Sequence, residues 1–364
     1  MRWGRALMWA GAGSLLLVLA AAGTLCLSSG CTSIGYLAQS AGGHLGLLSA
    51  ARPVEQVIAD PATPEALKQR LALTQRIRDY AVSELGLPDN RSYRAYADIH
   101  RAAAVWNVVA APELSLQLKT WCFPVVGCVS YRGYFDPAAA EAYAATLAPE
   151  GWETSVYAVP AYSTLGFSDW LGGDPLLSSF IQWPEGELAR LIFHELSHQV
   201  AYAEGDTVFN ESYATAVERL GGARWLAERA SADAREQYQR FDQRRRELRA
   251  LTQATRDRLD ALYRGPGSEA DKRAGKAAEM ARLRAEHERL KRERWDGYTG
   301  FDAYIARSNN ASLGVQAAYH AWVPAFEALF EREGRDFRRF HVAVQQLAGR
   351  PRDQREAALR ALQP

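Results

Sequence analysis

Leu188-Ala189-Arg190-Leu191-Ile192-Phe193-His194-Glu195-Leu196-Ser197-His198-Gln199-Val200 is the stretch on which the reading of this chain turns. Its apolar residues recur at helical spacing, and it lacks Gly and Pro. In a helix, His194 and His198 stand just over one turn apart, so both imidazoles leave from one face and can grip one ion. Glu195 sits beside the first histidine, placed to reach a water on that ion without binding the ion itself. The competing reading is a pair of satisfied histidines on a core helix.

A catalytic zinc needs three protein ligands and one open position. Downstream, Asp206-Thr207-Val208-Phe209-Asn210-Glu211-Ser212-Tyr213-Ala214-Thr215-Ala216-Val217-Glu218 opens a second helix, expected over about 210–220 and ending at Gly221-Gly222. It offers two carboxylates seven residues apart, about 10.5 Å along the axis, so one ion cannot use both. Glu211 is preferred, because Asn-Glu just inside a new helix resembles the third-ligand motif of glutamate-type zincins (gluzincins). Glu218 is the rival, with only Gly222 one turn beyond it. Asp206 is a weaker one. Thr215, where such enzymes often carry Asp, is a candidate to support a ligand histidine by hydrogen bonding.

Outward from the motif, residues 223–296 are packed with Arg, Glu, Ala and Leu and broken at Gly265-Pro266-Gly267. This predicts a long antiparallel helical hairpin whose charges form a solvated face. Residues 297–364 return to aromatic and apolar content and should rejoin the core as helices. Upstream, Pro61 and Pro64 punctuate the start of a helix that Thr63 can cap. Trp106–Ala110, Leu114–Leu118 and Val129–Tyr134 read as strands, and Asp136-Pro137 caps a helix over 137–147. Residues 154–164 are β-rich, and Pro160 makes them an edge strand. Such an edge can pair with an extended substrate, with Tyr157 and Tyr162 lining the groove or simply packing. Residues 165–184 form a loop.

The chain begins with Arg2 and Arg5, then an apolar run from Ala6 to Leu27, then Ser28-Ser29-Gly30-Cys31. That is the layout of a bacterial export signal, residues 1–30, ending at a lipidation cysteine, Cys31. An uncleaved membrane anchor is the alternative, since the run is long enough to span about 30 Å of hydrocarbon. Residues 31–60 then form a lipidated, Gly-rich tether in which His44 is incidental. Cys122 and Cys128 remain, separated by Pro and Gly, and should form a disulfide in an oxidising compartment. A formal net charge of +1 argues against nucleic acid as a partner.

His194-Glu195-Leu196-Ser197-His198-Gln199, Gly205-Asp206-Thr207 and Phe209 through Glu218 together resemble the bacterial family of predicted aminopeptidases, typically lipoproteins. Cys31-Thr32-Ser33-Ile34-Gly35-Tyr36, Tyr162-Ser163-Thr164-Leu165-Gly166 and Asn309-Asn310 extend the likeness over most of the mature chain. The resemblance implies aminopeptidase activity; the metal motif alone implies a hydrolase. In Gram-negative lipoproteins, the absence of Asp after the modified cysteine (here Thr32) goes with outer-membrane sorting, facing the periplasm.

The expectation is an α+β, zincin-like metallopeptidase domain, mainly helical with a small sheet, its core at 61–222, binding one Zn2+ through His194, His198 and Glu211. Glu195 is the general base. Tyr319, with His320 as the alternative, is the oxyanion donor by analogy with related peptidases, against a role in core packing. Asp169, Asp174, Glu185 and Glu204 are candidates to anchor a free amino terminus. Two other functions stay open: an endopeptidase of envelope proteins, and a non-catalytic scaffolding lipoprotein. Oligomeric state is not legible.

Overall fold

The computed structural model describes residues 31–123, 127–161 and 173–363. The chain divides into two compact units at Ser49–Ala50. In its described part the first is helix α1 (Cys31–Ala50), so the stretch expected to be a tether is helical. Its alanines and leucines outweigh its glycines in local preference. The export segment lies outside the described residues, as does the Cys31 side chain. No described helix is long and apolar enough to cross a membrane.

The second unit runs β1 (Arg52–Pro53), α2 (Val54–Ala59), α3 (Glu65–Ser83), β2 (Ala95–Ala97), β3 (Val105–Pro112), β4 (Trp121–Phe123), β5 (Gly127–Val129), β6 (Arg132–Tyr134), α4 (Pro137–Leu147), β7 (Trp152–Val159) and β8 (Leu176–Leu177). Helices follow: α5 (Glu185–Ser197), α6 (Thr207–Glu228), α7 (Ala232–Arg264), α8 (Glu269–Glu293), α9 (Asp302–Arg307), α10 (Asn310–His320), α11 (Val323–Arg332), α12 (Phe337–Ala348) and α13 (Arg352–Arg360). This is an α+β fold, mostly helical with small sheets.

The largest strand pairing is β3 with β7, antiparallel from Val105↔Val159 to Pro112↔Trp152. β6 lies on the other side of β3, which leaves β7 at the edge among the described strands. Pro160 follows its last residue, where a missing N–H costs no ladder bond. Tyr157 is half-buried and packs against Val109, Ala111 and Ala311. Tyr162 lies outside the described residues. Cys122 and Cys128 face each other across β4 and β5, joined as a disulfide.

Local signals set several boundaries. The Asp136 carboxylate accepts from Ala138 N at 3.0 Å and starts α4. Helix α3 begins at Glu65 with Pro64, not Thr63, at the cap, and no side chain caps it. Leu114–Leu118 is not a strand. Ser115 N turns back to the Pro112 carbonyl, Leu116 packs on the hairpin core and Leu118 on the β3 cluster. Those leucines serve two cores from an irregular segment.

The hairpin is α7 and α8, turned at 265–268, with Ser268 and Asp271 capping each other's backbone. Leu248, Leu251 and Leu259 pack with Met280, Leu283 and Trp295, an apolar stripe inside a charged exterior. It does not project freely. Arg273 pairs with Glu113 at 2.9 Å, and Lys276 donates to the Glu113 carbonyl at 2.8 Å.

Helix α6 does not stop at Gly221-Gly222. It runs on to Glu228, and the hairpin starts at Ala232 instead of 223. A Cβ on Gly221 would stand 2.7 Å from Leu85 Cδ1 and 3.1 Å from Phe193 Cδ2; one on Gly222 would stand 2.6 Å from Arg190 Cγ. These glycines let α6 lie against α5, a use that overrides their poor helix propensity.

His341 on α12 is buried between two polar groups. Its Nε2–H donates to the Leu85 carbonyl at 2.8 Å, so Nδ1 accepts from the Tyr213 hydroxyl, also 2.8 Å away. Burial holds this imidazole neutral and pushes its pKa from 6.5 down to about 4. In the unfolded chain it takes a proton near pH 6.5. Its contribution is therefore complete above that pH and lost as pH falls towards 4. Acidification through this window should cost about 3 kcal/mol of stability in wild type and much less in His341→Gln. Urea unfolding at several pH values measures it; parallel curves for the two proteins would refute the assignment.

Candidate metal centre

Helix α5 begins at Glu185 with Pro184 at its cap, and Leu188, Ala189, Ile192, Phe193 and Leu196 bury one face. The opposite side carries the motif. His198 is the C-cap, but at φ −59° and ψ −23° it keeps helical geometry, so the one-turn spacing from His194 survives. The two rings lie 4.9 Å apart between centroids and nearly perpendicular.

Helix α6 delivers the carboxylates. Asp206 caps it, accepting from Phe209 N at 3.1 Å. The other Asp206 oxygen is held by Arg355 of α13 at 2.7 Å, with both side chains buried. Asp206 is thus committed to the helix start and is no metal ligand candidate. Asn210 closes the connection: its Oδ1 accepts from Ala203 N at 2.7 Å and its Nδ2 donates to the Ala203 carbonyl at 2.9 Å. The next residue is Glu211, aimed by this clamp at α5.

Glu211 Oε2 lies 3.3 Å from His194 Nε2 and 3.8 Å from His198 Nε2. Donor atoms of these three residues all fall within 4.8 Å of one another. Zinc bonds of about 2.0–2.1 Å at the tetrahedral angle put neighbouring ligand atoms about 3.3 Å apart. One edge of the triangle already matches, and the second needs a shift of about half an ångström. The residues fit a single divalent ion.

Glu218 takes a different position. Its Oε2 lies 3.1 Å from His194 Nδ1, on the side of the ring facing away from Glu211, and its other oxygen accepts from Arg190. Glu218 therefore holds the ring that Glu211 faces, the task expected of Thr215. Thr215 is buried and makes no hydrogen bond to either histidine. Spacing had made Glu218 a rival to Glu211, because seven residues put both on one helix face. The decisive fact, which ring nitrogen each carboxylate meets, depends on how two helices pack.

The electrostatics set buried carboxylates against buried cations. Burial resists charge on His194, but Glu211 and Glu218 outweigh it and raise its pKa well above the ordinary value. Burial pushes His198 down to about 4. Burial also works against ionised Glu211 and Glu218, yet both pKa values are lowered. His198 and His194 hold Glu211 down, and Arg190 with His194 takes Glu218 to about 2. A proton on His194, together with Arg190, thus balances the two buried carboxylates, and a divalent ion at Nε2 would displace that proton.

Glu195 follows His194 on α5 and is partly buried. The ring of Tyr93, a residue no sequence pattern singled out, lies within electrostatic reach of Glu195 and Asp174. Tyr93 is fully buried with φ +63°, a conformation aromatic residues rarely adopt. Tyr319 lies in α10, with its side chain outside the described residues; His320 closes the same helix. Of the amine-anchor candidates, Asp174 is buried, Glu185 accepts from Trp225 Nε1 at 3.0 Å, Glu204 is exposed, and Asp169 lies outside the described residues.

A second cluster, His287, Glu288 and Asp302, also brings possible ligand atoms together. Lys291 Nζ lies 2.7 Å from Glu288 and 3.1 Å from Asp302 there, so an ammonium already bridges its two carboxylates.

No curated protein and no solved structure matches the chain. A family model described as "Putative aminopeptidase" matches residues 35–359, which takes in the motif helix, the hairpin and the C-terminal helices. The chain belongs to that putative aminopeptidase family.

Proposed function

We propose that this protein is a zinc-dependent peptide hydrolase with a zincin-like fold of the gluzincin type, most simply an aminopeptidase. The observation that carries the reading is the convergence of His194 Nε2, His198 Nε2 and one Glu211 oxygen at separations suited to one tetrahedral ion. Bound there, zinc would supply Lewis acidity, enough to make water nucleophilic near neutral pH. Glu218 fixes His194 with its proton on Nδ1, leaving the Nε2 lone pair free for the ion. Glu195 takes the proton from the attacking water and returns it to the leaving amine. Tyr319 is the proposed donor to the developing oxyanion.

Family membership supports peptides as substrates. The proposal extends to the cell envelope: Cys31 would carry a lipid holding the enzyme on the outer membrane, facing the periplasm, with no role for nucleic acid. The test is to purify the protein, measure bound zinc, and compare cleavage of peptides with free and blocked amino termini. One zinc per chain and cleavage confined to free termini are expected. Cleavage of blocked peptides would make it an endopeptidase. One tightly held zinc with no cleavage of either would make it a scaffold. Absence of both zinc and hydrolysis would defeat the reading.

A further inference from the structure

Arg190 stands one turn before His194 on α5 and is 5% exposed. A buried guanidinium normally satisfies several of its donors. This one makes a single hydrogen bond among the described residues, from Nη2 to Glu218. Nη1 lies 3.8 Å from Glu187 and 3.9 Å from Asp242, near enough for attraction but too far for a hydrogen bond. Three carboxylates surround the group, and only Glu218 is gripped.

Space has been cleared for this arrangement. Gly222 on α6 leaves room for the Arg190 stem, as described above. Gly186 on α5 does the same for Tyr238 of α7: a Cβ there would stand 2.6 Å from Tyr238 Cδ2. The Tyr238 ring in turn lies 5.8 Å from the Arg190 guanidinium carbon. Arg245 of the same hairpin helix binds Glu187 at 2.7 Å and Asp242 at 2.8 Å, occupying the two carboxylates that compete for Arg190.

We infer that Arg190 is a positioning residue for the metal centre, acting on His194 through Glu218. A carboxylate left alone can turn and offer either oxygen. Arg190 engages one oxygen, and the other then faces His194 Nδ1. That contact sets the ring's tautomer and its angle, so Nε2 is presented to Glu211 and His198. The inference rests on the zinc reading above and deepens it. A carboxylate behind a ligand histidine is a common device; here its aim is supplied by an arginine from the ligand's own helix.

The experiment measures zinc affinity by chelator competition, with near-ultraviolet circular dichroism as the check on folding. Arg190→Met should bind zinc 10–100-fold more weakly than wild type. Arg190→Lys should lose less, since an ammonium keeps the charge but not the fork. Glu218→Gln should resemble Arg190→Met, and adding Arg190→Met to it should weaken binding by less than a further twofold. An arginine that merely holds the helices together would weaken binding equally in both backgrounds, and that result overturns the inference. So does wild-type affinity in a folded Arg190→Met. Should Arg190→Met fail to fold, Arg190→Lys with and without Glu218→Gln completes the same comparison. A wild-type chain that holds no zinc defeats the metal reading itself, and this inference with it.

Discussion

Glu195→Gln is expected to keep its metal and lose about 10²–10⁴-fold in kcat, with KM changed much less. The amide is nearly isosteric with the carboxylate and stays on the same face of α5, beside a triangle of donors to which it does not belong. Zinc content measured alongside peptide cleavage separates the two roles. Retention of full activity would remove Glu195 from the chemistry. Loss of metal together with activity would recast it as a ligand, which the geometry of His194, His198 and Glu211 gives no reason to expect.

Replacing Glu211 should have the largest effect on metal. Glu211→Gln leaves two imidazoles and a weakly coordinating amide, so affinity should fall by on the order of 10³-fold and hydrolysis with it. Glu218→Gln, by contrast, still has all three proposed ligands and loses only the support behind His194, so 10–100-fold is expected. The order of the two variants is the informative result. A more damaging Glu218 substitution would mean that it enters the coordination sphere and that Glu211 does not. Zinc titration of both proteins decides the matter.

Much of this could be read from residues whose meaning is local. Asp136-Pro137 starts a helix because the carboxylate caps the turn beside it. Gly265-Pro266-Gly267 turns the hairpin because neither neighbouring helix can continue through it. Histidines four apart share a face whatever surrounds them. The failures share a different cause. Gly221-Gly222 looks like a stop until Phe193, Leu85 and Arg190 occupy the space beside it. Leu114–Leu118 looks like a strand until its side chains are divided between two clusters. Glu218 stands where Thr215 was expected to support His194, because helix spacing says which residues share a face, and only packing says how far each side chain must reach. Nothing in the order of residues ties Arg355 to Asp206, 149 positions away, yet that buried pair holds the start of the helix that carries Glu211.

The absence of side chains at Gly221 and Gly222 limits how the centre could change over time. Most neighbouring helices are kept apart by interlocking side chains, and a swap of one aliphatic group for another adjusts the gap in small steps. Here α6 contributes bare backbone, and the side chains of Phe193 and Arg190 from α5 fill the space against it. Every replacement at these two positions adds bulk, so an inward step can come only from the other side, at Phe193 or Arg190. A single methyl added at either position would press on Phe193 or Arg190, the residues beside His194 on α5 or one turn before it. A descendant seeking a tighter bite would have to trim Phe193 or Arg190, and the second of these also holds Glu218.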